Sequence, residues 1–466
     1  MAATRAPRTI DLAALIDGRK FSRFNYLLVV LSWLITMFDG LDMMMVSFTG
    51  PYMRENLGLS TTQFGNVVSA GTLGMVAGGL TFTYIADRIG RRPTVIMSAF
   101  IFGILTMGTA FATSYEQLLF MRFFDGMAIG GMLPIAWALN IEFVSKRVRA
   151  TVITVIMMGF SLGSSASGPL TNFIAPPVAS GGLGLGWQGV YLFGGGGTLI
   201  VALALALWLP ESLRFLVTKG LKPHIVQKTI RRLEPDIDIQ PGDTFILGDE
   251  GQRKANFKLT DLFIGRLALL TPLVWFGYGI SATGIFFGST WGPQVLEALE
   301  IPRTTAATIS SIGGLLGAFT GIAIMRLADR FGLIVVAIIP AIVTPVLVLL
   351  GFGLVPPALF VPLIILQAMC IGGVHSAVIS QLALFYPSAI RASAGGWASA
   401  VGKIGGVVGP IIGGVVIATG IPIIQTYAVL AISPAILFFC ILGIAAVMRK
   451  PMEEATPIDA RAVPAE

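Results

Sequence analysis

Apolar runs of about twenty residues, each closed by charges or turn residues, follow one another along almost the whole chain, and that is the length a helix needs to cross a bilayer. The pattern predicts spans over 26–48, 65–86, 94–113, 116–143, 150–174 and 187–209. Six more are predicted over 266–291, 305–327, 333–354, 358–385, 391–419 and 425–448. Between the sixth and seventh, residues 210–265 are polar and charged, and too few for a catalytic domain. The expected division is a leading segment 1–25, a six-helix bundle 26–209, a loop 210–265, a second bundle 266–448 and a tail 449–466. The polar composition of that tail predicts disorder.

Composition removes the soluble alternative. Of 466 residues 55% are hydrophobic and 12% charged, where a soluble domain carries roughly 25% charged. Mean hydropathy is +0.83. The 56 glycines suit membrane helices that approach closely.

The net charge of +7 changes meaning once the 31 Lys and Arg are sorted. The termini and even-numbered connections hold 27 of them, including Lys146, Arg147 and Arg149 and ten across 210–266. Odd-numbered connections hold two, Arg54 and Arg303. Basic segments resist translocation, so both termini and the central loop are expected in the cytoplasm, as in a bacterial-type inner membrane. The basic excess reads as an orientation signal facing lipid headgroups, with no nucleic-acid partner. Residues 1–25 do not read as a cleavable signal peptide, which leaves the first span as an uncleaved anchor. Cys370 and Cys440 both fall inside predicted spans, so neither disulfide nor metal is expected.

Shifting the chain by 242 residues lays Ala86-Asp87-Arg88-Ile89-Gly90 on Ala328-Asp329-Arg330-Phe331-Gly332. The same shift superposes Gly71 on Gly313, Gly79 on Gly321, Gly130-Gly131 on Gly372-Gly373, Phe143 on Phe385, Arg149-Ala150 on Arg391-Ala392 and Gly163 on Gly405. One constant offset across four helices implies two related six-helix halves of parallel topology. That is an arrangement of secondary transporters whose halves rock about a midplane site.

Specific motifs then carry a resemblance. Asp87-Arg88-Ile89-Gly90-Arg91-Arg92, with its partner Asp329-Arg330-Phe331-Gly332, resembles the signature loop of the major facilitator superfamily. Thr83 stands where that pattern usually has Gly, and the second loop lacks the terminal basic pair. Arg122 followed by Gly126, Gly130 and Gly131, and Pro210-Glu211-Ser212-Leu213-Arg214-Phe215, extend the likeness, which covers residues 20–448. Asp39-Gly40-Leu41-Asp42 is similar to the Asp-Gly-x-Asp motif of the aromatic acid:proton symporters. So is the region from Tyr386-Pro387 through Arg391-Ala392, Gly396-Trp397, Lys403-Ile404-Gly405 and Gly409-Pro410. Lys403 stands where that family commonly has Arg, and His375 where an amide is common. The resemblance implies an all-α membrane fold of twelve helices, and gating loops at Asp87, Arg88, Gly90, Arg91, Asp329, Arg330 and Gly332 that latch the bundles together.

An ionisable side chain at membrane depth costs several kcal/mol and is by default a functional hypothesis. Those within the predicted spans are Asp39, Asp42, Arg122, Asp125, His375 and Lys403, with Glu142 near a cytoplasmic end beside Lys146 and Arg149. Asp39 and Asp42 share a helix face, as do Arg122 and Asp125. At 1.5 Å per residue Asp42 and Arg122 lie about 9 Å deep, and Asp39 and Asp125 about 13 Å. Three acids around one guanidinium cannot all stay ionised cheaply, so one of them is a candidate proton carrier. The alternative is a static ion pair locking the first helix to the fourth. Arg122 has no basic counterpart in the second half, where the offset meets Ile364, and Lys403 meets Ser161. Either cation could hold an anionic substrate, with Lys403 preferred and Arg122 left to the acids, or Lys403 could pair internally. His375 reads as a substrate hydrogen-bonding group or as a satisfied core histidine. Phe38, Trp397 and Phe286, near the buried charges, are candidate ring-stacking residues.

These residues fit a proton-coupled symporter that imports small aromatic carboxylates without a cofactor, as a monomer. A symporter of sugar acids or dicarboxylates would use the same charges, and a transporter-like receptor would bind without moving its ligand. No nucleophile elbow or phosphate loop suggests an enzyme.

Overall fold

The computed structural model describes residues 8–19, 21–221, 223–233, 237, 243–247, 258–332, 334–382, 386 and 390–449. Phe385, Pro387 and the tail from 450 onward lie outside them, as do the side chains of Asp329, Arg391 and Ala392. Among the described residues twelve helices are long and apolar enough to cross a membrane. In the first bundle they are α1 Arg23–Leu57, α2 Thr61–Ile89, α3 Arg91–Thr109, α4 Tyr115–Glu142, α5 Arg149–Ile174 and α6 Gly186–Trp208. In the second they are α7 Leu267–Ala298, α8 Arg303–Phe331, α9 Ile334–Gly351, α10 Pro357–Leu382, α11 Arg391–Ala418 and α12 Ile432–Arg449, the last preceded by a short helix Thr426–Leu430.

The apolar runs place every span but clip the ends. Helix α1 continues nine residues past the predicted 48, through Pro51, and α7 runs through Pro293. The α2 start is polar because it is a cap: Ser60 Oγ accepts from Gln63 N–H (3.1 Å), while Gln63 Oε1 accepts from Ser60 N–H (2.9 Å).

Glycines set the spacing inside the first bundle. A Cβ at Gly74 or Gly78 of α2, or at Gly126 or Gly130 of α4, would collide with backbone of the facing helix, so only glycine permits this crossing. Gly40 and Gly163 do the same for α1 and α5. The two acids of α1 and the arginine of α4 are thereby drawn into one interior.

Because α1 starts at Arg23 and α12 ends at Arg449, both lie on one face of the molecule, here the basic face. The two bundles meet toward the other, far face. Ser69 Oγ donates to Val407 O (2.7 Å), a Cβ on Gly65 would strike the Pro410 carbonyl, and Trp291 Nε1–H donates to that same carbonyl (3.0 Å). Asn172 Nδ2 donates to Thr304 O (2.8 Å), and Gly168 packs on Ser311. At the far rim Arg303 bonds Glu55 and Glu297 (2.5 Å each) and lies 4.3 Å over the Tyr52 ring, while Arg54 donates to Gln294 Oε1 (2.9 Å). On the same helical faces nearer the basic side, Thr83, Met157, Ile322, Gly396 and Ala400 are exposed. The structure is closed at the far face and cleft open toward the basic one.

A small structure covers part of the basic face, which the polar pattern of 1–25 and 210–265 did not predict. Strand β1 Thr9–Asp11 pairs in parallel with β2 Thr244–Ile246, a helix follows over Leu12–Asp17, and another runs over Pro223–Leu233. Ile10, Leu12, Ile16, Val226, Ile230 and Leu233 join the same core as Phe82, Val95, Leu139 and Leu205 of the first bundle.

Candidate functional site

Four of the six charges expected inside the membrane are almost fully buried in the first bundle: Asp39, Asp42, Arg122 and Asp125 expose 2%, 1%, 4% and 0%. Arg122 Nη1 donates to both oxygens of Asp42 (3.0 and 2.8 Å) and to Asp125 Oδ2 (2.9 Å). Thr106 of α3 donates to Asp125 Oδ1 (3.1 Å), and Tyr191 of α6 buries its hydroxyl within the field of the same charges. Asp42, Arg122 and Asp125 therefore form a closed ion cluster between α1 and α4, the static pairing anticipated as one alternative. Removing one partner of such a cluster costs about 3–5 kcal/mol.

Asp39 differs. Its Oδ1 is buried and has no hydrogen-bond partner. The charges it feels include Asp42 and Arg122 in its own bundle and Lys403 in the other. Lys403 of α11, partly buried, reaches α2 of the first bundle, where its Nζ would be 3.7 Å from a Cβ on Gly79. An acid with one oxygen free of partners and an ammonium of the other bundle thus lie within electrostatic reach of one another.

The other candidates divide. Phe286 of α7 lines a narrow void with Arg122, Gly71, Met43 and Met75. Phe38 does not: its ring lies on Gly197 of α6, so it packs α1 against α6 because glycine there leaves room for a ring. Trp397 stacks on Trp275 within its own bundle, centroids 6.2 Å apart and planes 23° apart, with 43% of its surface exposed. His375 Nδ1 is 3.0 Å from Ser281 Oγ and its ring lies 5.5 Å from that of Tyr278, which places it between α7 and α10 in the second bundle. It belongs to the bundle's own polar packing and not to the acid cluster.

In the signature loops the side chain of Asp329 lies outside the described residues, and the two arginines rest on aromatic rings. Arg88 lies 4.2 Å over the Tyr84 ring and Arg330 lies 5.2 Å from that of Phe331, both contacts within one bundle. Among the described residues no ion pair joins the two loops. Arg91 pairs with Glu142, whose other oxygen accepts from Ser212 Oγ (2.5 Å). Glu142, expected in a charge network at that end of the helix next to Lys146 and Arg149, has Arg91 as its partner there, while Lys146 turns to Asp17 (3.0 Å) and Arg149 to the Val144 carbonyl (3.2 Å). Glu211 closes the loop: it accepts from Arg91 N–H (3.0 Å) and Arg92 N–H (3.1 Å) at the α3 N-terminus, where a carboxylate is favoured. Gly90 makes the turn with φ +108°.

Sequence reasoning missed Thr106, Tyr191, Gly71 and the rim cluster around Arg303. Thr106 and Tyr191 carry a weak signal as polar groups in apolar runs; Gly71 carries none, because its part is to leave space.

Two six-helix bundles closed at one face, cleft at the other and holding unmatched charges at their boundary have the architecture of a secondary transporter. The profile of the Major Facilitator Superfamily matches residues 32–361 and 274–466, and the chain belongs to that superfamily. It is similar to a 4-hydroxybenzoate transporter, PcaK, of Pseudomonas putida, 28% identical over 89% of this chain and 91% of that one. A gallate transporter of Pseudomonas putida is 30% identical over 88% and 90%. A benzoate transport protein of Acinetobacter baylyi is 25% identical over 92% and 91%. Among solved structures, the xylose transporter XylE from E. coli in a partially occluded inward-open conformation shares the fold with a TM-score of 0.66 at 15% identity, over 90% of this chain and 97% of that one. An inward-facing bacterial homologue of the lysosomal transporter Spinster gives 0.67 at 15%, over 92% and 96%.

Proposed function

We propose that the protein is a proton-coupled importer of small aromatic carboxylates, of the benzoate, hydroxybenzoate or phthalate kind, working by alternating access in a bacterial-type inner membrane. The observation that carries this reading is Asp39, a buried carboxylate with an oxygen free of partners, within the electrostatic reach of Lys403 in the other bundle. The aromatic acids named for the relatives supply the substrate class.

Charge balance supplies the coupling. Three carboxylates, Asp39, Asp42 and Asp125, against Arg122 and Lys403 leave one negative charge over when all are ionised. A substrate anion entering the same interior doubles that excess in a low-dielectric space, and a proton on Asp39 restores it. Asp42 and Asp125 are less suited to carry that proton because Arg122 and Thr106 already occupy their oxygens. Release follows the reverse path, with Lys403 drawn to Asp39 once the proton leaves.

The basic face is the cytoplasmic one by the positive-inside rule, with both termini there, so this is an inward-open state. The division into 1–25, 26–209, 210–265, 266–448 and 449–466 serves this cycle: two bundles rock, and the loop joins them on the cytoplasmic side.

Uptake of labelled 4-hydroxybenzoate into proteoliposomes tests the reading. An imposed gradient, acid outside, is expected to raise accumulation several-fold. Asp39→Asn is expected to abolish accumulation against a gradient while keeping counterflow exchange. Accumulation indifferent to the gradient overturns the coupling.

A further inference from the structure

We propose that the substrate carboxylate is received side-on by the Nε–Nη2 edge of Arg122, in the space above Gly71. The inference rests on the transport reading above and names its anion subsite.

All the described hydrogen bonds of Arg122 leave from one nitrogen, Nη1, which serves Asp42 and Asp125. Nε, in a side chain only 4% exposed, is buried without a partner. A buried N–H of a guanidinium with no acceptor is expensive, and the Nε–Nη2 pair is one of the two parallel forks with which arginine takes a carboxylate bidentately. That fork is turned toward Gly71: a Cβ there would stand 3.6 Å from Nε and 3.5 Å from Nη2. Gly71 and Arg122 both line the void that Phe286 and Thr290 of the other bundle close. Arg122 thus has one side committed to the fixed acids and one edge without a described acceptor, packed toward Gly71 in the wall of a space shared by the two bundles.

The rest of the lining suits an aromatic ring. Met43, Met44 and Met75 surround the space with Phe286. Unbranched thioethers repack at small cost and make favourable contacts with ring edges. In this state the void has only 10 Å³ open to water centres, room for about one water. A ring enters only when α7 and α1 part, so the subsite opens and closes with the bundles. Lys403, the other cation available to an anion, lies toward Gly79, eight residues or about 12 Å along α2 from Gly71. The two cations mark different places, and the fork without an acceptor is at Arg122.

Two methyl groups separate these places. At Gly71 and at Gly79 an added Cβ meets only ordinary van der Waals contacts, at 3.5 Å and beyond, so both alanine variants are expected to fold. Gly71→Ala covers the Arg122 fork, and Gly79→Ala crowds Lys403. Calorimetric titration of the purified full-length protein with 4-hydroxybenzoate is expected to show affinity weakened about tenfold or more by Gly71→Ala, the loss of a charge-assisted contact. Gly79→Ala is expected to stay within about twofold of wild type, and the uncharged 4-hydroxybenzamide to bind wild type and Gly71→Ala alike. Unchanged affinity in Gly71→Ala, or a loss confined to Gly79→Ala, overturns the subsite while leaving the transport reading in place. Failure of the wild type to bind any aromatic acid removes the transport reading and the subsite together.

Discussion

The buried acids divide by hydrogen-bond inventory more than by depth. Asp42 accepts through both oxygens from Arg122, and Asp125 through one from Arg122 and one from Thr106, whereas Asp39 Oδ1 accepts from no group. Stability and function should therefore part company. Asp42→Ala leaves a buried guanidinium short of an acceptor and is expected to cost about 3–5 kcal/mol, read as a marked fall in thermal-melting midpoint in detergent. Asp39→Asn removes no hydrogen bond from Oδ1 and is expected to leave that midpoint near wild type while gradient-driven uptake is lost. Equal melting losses in the two variants would place Asp39 in the structural cluster as well. The charges themselves were legible in the sequence, since lipid forbids them by default, and the shared faces of 39 with 42 and of 122 with 125 follow from helical spacing alone. Which nitrogen of Arg122 is engaged was not legible, because that depends on helix rotation fixed by Gly74, Gly78, Gly126 and Gly130.

At the scale of helices, the far rim holds the bundles shut with few residues. Arg303 at the start of α8 reaches back to Glu297 at the end of α7 and across to Glu55 and Tyr52 of α1, and Arg54 of α1 reaches Gln294 of α7. Exposed ion pairs are individually worth about 0–1 kcal/mol, but here several converge on one side chain at the boundary between the bundles. A change of that size is enough to alter the populations of two states a few kcal/mol apart. Arg303→Ala is expected to shift the protein toward the state open at the far face. Spin labels placed at Asn172 and Thr304 on opposite bundles should report a longer distance population in the variant, and an unchanged distribution would show that the rim follows the motion without biasing it. The sequence marked Arg54 and Arg303 only as exceptions to the charge rule. Their partnership needs α1 and α7 to run past the proline residues at which the apolar pattern stops, so the clipped helix ends and the missed rim have one cause.

For the molecule as a whole, the cover on the basic face makes the two bundles unlike. The β1–β2 pair ties the leading arm to the central loop, with Arg8 N–H donating to Asp243 Oδ1 (3.0 Å), and apolar residues of the arm and of helix Pro223–Leu233 enter the first bundle's core. Asp17, ending the arm's helix, accepts from the backbone N–H and Nζ of Lys146 in the α4–α5 turn, each at 3.0 Å. Arm, loop and turn are thus fastened to one bundle, which makes it the stiffer body in the proposed cycle. Neither piece announced itself in the sequence, because each contributes only a few apolar residues and gains a core only by docking on the helices. The fastening is sensitive to acid. The Lys146 backbone N–H, foremost, holds the Asp17 carboxyl below its ordinary 3.8 against the opposing effect of burial, with the Lys146 ammonium and Arg149 adding to the lowering. A carboxyl lowered on docking stabilises the docked arm at all pH values above 3.8 and loses that contribution as pH falls through its lowered value. Near neutrality Asp17→Asn should mimic the acid state. Faster hydrogen exchange at the Lys146 amide and in residues 9–17 is the expected outcome, with exchange in α7–α12 unchanged. Exchange that rises equally in both bundles would mean that the arm braces the whole molecule and not the first bundle alone.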